Sequence, residues 1–430
     1  MNAIDQRAAP QGTASRNTRG HRVTLGGMLI LIGLAVLVAL LASGCGKGPR
    51  KAVGKLDTPE HHTLRGHDFI DKGEWDKAER SFDLAIDLGK EYGPAYAGKA
   101  IVVAHKSAAP GLDEDQREDL AKEADDLIDD AFDNANEPDD KRTVHVAAIR
   151  VFREAKIPED WLDEAEGHYE DAVDLDERDV DPTPHFYMAR AYRDAFEMRK
   201  AEDLYRKVLG MKTPLSRDAD RELEIVQKIQ RAAPGSRHGK VIAFEPSISR
   251  ADIAALFIEE LRLDRLYARG NKSRFDTGFK APQSGAKTFQ AEKLVRAEAA
   301  TDIKGHPLQG DIEEIMKLGV AGLEPDPAHL FHPNDTLRRG EFALMVEDIL
   351  VKVTGEKGLR TKFIGQNSPF PDVRGDHPWF NAVQTVTSRS LMQPVDKVNG
   401  VFGLSAPITG ADALLVLRLL KDELRSYLRG

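Results

Sequence analysis

Phe244-Glu-Pro-Ser-Ile-Ser-Arg-Ala-Asp252, Phe331-His-Pro-Asn-Asp-Thr-Leu-Arg-Arg-Gly-Glu341 and Phe402-Gly-Leu-Ser-Ala-Pro-Ile-Thr-Gly-Ala-Asp412 repeat one phrase in the C-terminal half of the chain. Each runs from an aromatic through a proline-bearing turn to an aliphatic, then through a short polar-basic-small triplet to an acid that opens an apolar helix. One grammar used three times predicts a single compact unit built from three copies, with clefts between them. Such a unit favours binding over catalysis.

Ser249 and Thr409 stand where a helix N-cap belongs, with Asp252 and Asp412 three residues on, so hydroxyl and carboxylate can satisfy free backbone donors reciprocally. Glu341 holds the same place in the second copy. Ile253, Leu256, Phe257, Ile258 and Leu261, and likewise Phe342, Met345, Val346, Ile349 and Leu350, recur at helical spacing and form apolar stripes. Arg250 and Arg339 fall in the first helical turn, where the macrodipole disfavours a cation unless an anion compensates. Two readings stay open: a receptor for a carboxylate or phosphate ligand, or a staple to a nearby acid.

The phrase resembles the S-layer homology module, whose hallmark is Ile-Thr-Arg-Ala-Glu after a Phe-x-Pro turn. Other marks come in the family's order: Asp302-Ile303, His306-Pro307 and Leu318-Gly319-Val320 before the second copy, and Phe370-Pro-Asp-Val373, His377-Pro-Trp379 and Ala382 before the third. The first copy lacks that section, although Glu222 to Ala233 can stand in for its first helix, and the third has Gly410 in place of arginine. The resemblance implies a three-lobed helical domain whose grooves bind acidic cell-wall polysaccharide or peptidoglycan-associated glycan. Carried over, it assigns ligand contact to Arg250 and Arg339 and weakens or removes the third site. Trp379 is read as a sugar-stacking face or as core, and Asp252 and Glu341 as capping residues.

At the other end, Arg16, Arg19 and Arg22 precede an apolar run from about Val23 to Ala42 that stops at Ser43-Gly44-Cys45, the pattern of an export signal. Cys45 is the only cysteine, and Leu-Leu-Ala-Ser-Gly-Cys resembles a lipoprotein lipobox, which implies acylation of Cys45. An uncleaved signal anchor in the inner membrane is the alternative, since the run is long enough to span. Both put the rest of the chain outside the cytoplasm. Gly46 after the cysteine, by family resemblance, favours an outer membrane, with the chain facing the periplasm. The following stretch, with Lys47, Arg50, Lys51 and Lys55, reads as a flexible basic tether, solvated or drawn to anionic head groups.

The middle of the chain is helical. Gly66, Phe69, Ala78, Phe82 and Ala85 resemble a tetratricopeptide repeat, as do Ala189, Tyr192, Ala201, Tyr205 and Val208 and, more faintly, Ala165, Tyr169 and Ala172; a further pair is expected over about 95 to 135. A distinct helical bundle is the alternative. Stacked pairs present a concave groove suited to an unidentified protein or peptide partner. The acidic run of residues 113 to 140, including Asp125, Asp126, Asp129 and Asp130, reads as a solvated helix face, or as a site for calcium or a basic partner.

At 430 residues the chain accommodates two domains and a targeting segment. With 61 basic and 71 acidic residues, its net charge of −10 argues against nucleic acid as a partner. The 13 histidines, His61, His62 and His67 among them, match no recognised metal set. No catalytic residue, metal ligand or cofactor is assigned. The expected fold is all-α: a signal segment at 1–44, a tether at 45–57, a tetratricopeptide-like helical-hairpin solenoid at 58–235 and S-layer homology repeats at 236–430. The expected function is a non-catalytic, lipid-anchored envelope adaptor. A competing expectation is an assembly factor for an outer-membrane, secretion or pilus complex, with the C-terminal module as a protein-binding platform.

Overall fold

The computed structural model describes residues 50–176, 178, 180–272 and 300–428. The apolar run, Cys45 and Lys47 lie outside these residues. The described chain is all-α, with sixteen α-helices, one 3-10 turn and isolated β-bridges. Among these helices none is long and apolar enough to cross a membrane.

Eight helices form four successive hairpins: α1 (Pro59–Asp71) with α2 (Trp75–Leu88), α3 (Gly93–Ser107) with α4 (Glu114–Asp133), α5 (Pro138–Ala155) with α6 (Trp161–Asp174), and α7 (Thr183–Asp194) with α8 (Met198–Met211). The first helix of each hairpin also packs on the first helix of the next, which makes the stack a solenoid. Local chemistry starts the helices. Thr58 accepts from the His61 N–H ahead of Pro59, and Asp113 and Gln116 form a capping box at α4.

Small residues set how closely the hairpins approach. A Cβ on Gly66 would lie 2.5 Å from the Phe82 ring, and one on Gly98 would lie 2.1 Å from it, so that ring fills the space between α1 and α3. Ala78, Phe82, Ala85, Ala165, Ala172, Ala189, Ala201, Tyr205 and Val208 are all fully buried. By contrast Asp125, Asp126, Asp129 and Asp130 are exposed on α4, as a solvated face requires.

Helix α9 (Ser216–Ala232) closes the stack against α8 and also packs on the last helix of the chain. Beyond it come α10 (Arg237–Ile242), α11 (Arg250–Glu259), α12 (Leu263–Lys272), α13 (Gln309–Leu318), α14 (Arg339–Thr354), a 3-10 turn (Lys357–Thr361), α15 (Phe380–Ser388) and α16 (Gly410–Leu428). The C-terminal helices pack in a cycle: α13 on α11, α15 on α14, and α9 on α16. Helix α9, which contains most of the segment Glu222 to Ala233, therefore takes the place of the first copy's missing helix. The hydrophobic core is continuous from Phe186 in α7 to Leu424 in α16. Solenoid and three-lobed unit share that core.

Candidate functional site

The three copies of the phrase meet at one point. Ile248 N–H donates to Ile408 O at 3.1 Å, Ile408 N–H to Leu337 O at 3.1 Å, and Leu337 N–H to Ile248 O at 2.9 Å. The ring closes on itself, and all three side chains are buried. Each following helix begins just outside it.

The caps are local. Ser249 Oγ accepts from the Asp252 N–H at 3.1 Å and an Asp252 carboxylate oxygen accepts from the Ser249 N–H at 2.7 Å. Glu341 accepts from the Arg338 N–H at 2.9 Å, and Thr409 Oγ1 accepts from the Asp412 N–H at 3.1 Å. The reciprocal half of the third cap gives way to tertiary pairing: the Asp412 carboxylate meets Lys228 at 3.0 Å, because α9 packs on α16 and delivers an ammonium there.

Both motif arginines reach into the next copy. Arg250 donates through Nε to Phe331 O at 2.8 Å, through Nη1 to Gly322 O at 2.7 Å and through Nη2 to Glu324 O at 3.3 Å, with its guanidinium 4.9 Å from the Phe331 ring centroid. Arg339 repeats the pattern, donating through Nε to Phe402 O at 3.1 Å and through Nη2 to Gln393 O at 2.5 Å, with its guanidinium 5.0 Å from the Phe402 ring. Burial pushes both guanidiniums down from their ordinary value, against the opposing pull of neighbouring carboxylates. The staple is thus made to backbone carbonyls rather than to an acid.

An aspartate grips each aromatic from the other side. Asp302 accepts from the Phe331 N–H at 2.8 Å and the His332 N–H at 2.7 Å, while Asp372 accepts from the Phe402, Gly403 and Leu404 N–H groups at 2.7 to 3.0 Å. Burial raises both carboxyls, and these backbone donations outweigh it and hold them below the usual range. Residues 369–414 match the S-layer homology domain. No curated protein and no solved structure matches the chain.

An S-layer homology domain is a non-catalytic cell-wall-binding module, and its presence associates the chain with the cell envelope. In the third copy of this chain, Gly410 N–H donates to Glu245 O at 2.9 Å, the counterpart of Arg250 N–H to Asp335 O and Arg339 N–H to Ala406 O. The aromatic that Gly410 leaves unclamped, Phe244, is covered from the solenoid: Arg193 lies 5.5 Å from its ring and Phe196 meets it edge-on at 5.6 Å. A cation over the motif aromatic is kept, supplied by α7.

Two clefts border the motif arginines. One of about 710 Å³ is lined by Arg250, Glu324, Asp326, His332, Arg338 and Glu341. Asp326 is tied to His332 at 3.0 Å, whereas the Arg338 side chain is exposed. A wider cleft of about 1240 Å³ lies beside Arg339, Lys228, Arg231, Lys397 and Asp412. Trp379 is half-buried and presses on the start of α14; a Cβ on Gly340 would come within 2.4 Å of its ring. Arg338 escaped the sequence reading because it fills the cap position, where Ser249 and Thr409 carry hydroxyls. In the segment expected to be a flexible tether, Arg50 pairs with Asp57 at 2.6 Å and donates its N–H to Asp87 O at 2.7 Å, so this cation is held against the first hairpin rather than free in solvent.

Proposed function

We propose that the cleft between the first and second copies binds an acidic cell-wall glycan. The observation that carries this is an open polar cleft in which Arg250 and the exposed Arg338 stand beside Glu324, Asp326 and Glu341. Carboxylates accept from sugar hydroxyls and guanidiniums hold a carboxylate or phosphate substituent, so the lining suits a polyhydroxylated anion. Arg250 spends three of its five N–H groups on carbonyls and keeps two, while Arg339 is almost wholly buried. Arg338 therefore offers the freer fork.

Around this site the protein is read as an envelope adaptor. Acylation of Cys45 moors it, the tetratricopeptide-like solenoid of 58–235 holds a protein partner, and the repeats of 236–430 grip the wall, with the chain on an outer membrane facing the periplasm. The lipobox-like sequence and the stacked hairpins support those parts.

The test is co-sedimentation of full-length protein in detergent with purified wall sacculi. Arg338→Ala should weaken binding roughly tenfold, the worth of one charge-assisted pair, with an unchanged melting temperature. Equal binding by this variant, or no sedimentation of the wild type, overturns the assignment. Capture of a membrane protein without any wall affinity favours the assembly-factor reading.

A further inference from the structure

We propose that His145, His168 and Asp171 form a binding site for one divalent transition-metal ion, zinc by preference, that clips α5 to α6. The sequence reading found no metal set because His145 belongs to one helix and the other two residues to the next. The fold brings His145 Nδ1 to 3.0 Å from His168 Nδ1 and to 3.9 Å from Asp171 Oδ2. One ligand atom from each of the three lies within 4.8 Å of the others. In a tetrahedral zinc site with metal–nitrogen distances near 2 Å, ligand atoms stand about 3.3 Å apart. The two imidazoles already stand close to that separation, and rotation of the exposed Asp171 side chain, by about 0.6 Å toward His145 and at most about 1.5 Å toward His168, would bring the three onto one ion.

The surroundings suit that role. His168 and Asp171 share a helix face, three residues apart. Aromatic rings fix both imidazoles: Phe132 stands edge-on to His145 at 4.7 Å, and Phe152 stacks on His168 at 5.6 Å. Glu164 and Asp125 add negative potential at His168, which favours a dication. Two imidazoles and one carboxylate with an open position select zinc over calcium or magnesium, which require more oxygens.

Such an ion would lock the two helices of the third hairpin to each other, beside Phe132 of α4. The occupied site would stiffen the solenoid without touching the C-terminal clefts. The experiment titrates Zn²⁺ alone into metal-free full-length protein in detergent, followed by calorimetry and by the visible d–d bands of Co²⁺ in the same site. One equivalent should bind with tetrahedral Co²⁺ bands, Ca²⁺ and Mg²⁺ should not compete, and the melting temperature should rise with Zn²⁺. His145→Phe, which keeps an aromatic ring beside Phe132, should weaken binding about 100-fold, the upper end of what even outer-shell changes cost. Asp171→Ala, an exposed change that leaves the fold intact, should weaken it about tenfold. Absence of saturable Zn²⁺ binding in the wild type, or unaltered affinity in Asp171→Ala, would remove the site.

Discussion

The α-carbon of Gly410 sits so close to Ile242 that a Cβ added to it would lie 1.6 Å from the Ile242 carbonyl oxygen. The glycine that interrupts the third copy of the phrase is where the ring of repeats closes on α10. An arginine has no room there, and the third interface is built differently as a result.

Gly410→Ala should therefore destabilise the protein by about 3 kcal/mol, the upper end of overpacking costs, because the obstacle is backbone and cannot rotate away. Gly410→Arg, which restores the family's residue, should be worse still. Urea denaturation of both variants measures this, and a midpoint equal to wild type for Gly410→Arg would show that the closure is loose.

Arg250 and Arg339 bind the copies together, so their loss should register first as instability. Alanine at either position leaves carbonyls of the neighbouring copy without a donor, at a cost of about 3 kcal/mol. The cost should be larger at Arg339, which is 5 % exposed. Lysine cannot reproduce the fork and should rescue only part of the loss. Thermal melts of the four variants decide the order; a change confined to wall binding would mean that these forks serve ligand alone.

The two aspartate clamps predict acid sensitivity. Asp302 and Asp372 have carboxyls held below the ordinary range by backbone donors, in opposition to burial. A group with a depressed folded value stabilises fully above its unfolded value, about 4 for aspartate, and loses that contribution as pH falls through the folded value. Stability should thus drop below about pH 4, and the double variant Asp302→Asn with Asp372→Asn should be weaker at pH 7 but show a shallower decline. Denaturant midpoints measured between about pH 2.5 and 6 give both slopes, and parallel curves would clear these residues.

In the solenoid, Phe82 depends on two glycines at once. Gly98→Ala should cost about 2 kcal/mol, since its Cβ would enter the Phe82 ring. Phe82→Leu should absorb much of that penalty, so the pair in combination should cost less than the sum of the two singles. Additive values in a double-mutant cycle would mean the ring has another place to go.

Some of the molecule could be read without coordinates because it depends on spacing along the chain. The apolar residues after Asp252 and Glu341, the Ser249 cap and the small residues of the hairpins are set within one or two turns of helix, where local spacing and hydrogen-bond reach suffice, although α11 and α14 prove buried on most of their faces rather than along one stripe. The ordering marks Asp302 and Asp372 were likewise visible, but what they hold was not: each accepts from backbone about thirty residues further on.

By itself the sequence determined an all-α chain with a threefold phrase and a stack of hairpins, since the spacing of apolar and small residues along a helix is a local signal. Only the tertiary structure decided where the guanidiniums end, which copy must carry glycine and that His145 meets His168. Arg250 reaches a carbonyl 81 residues away and His145 an imidazole 23 residues away. Such meetings follow from how closely two packed backbones approach, a distance that no local pattern of residues encodes.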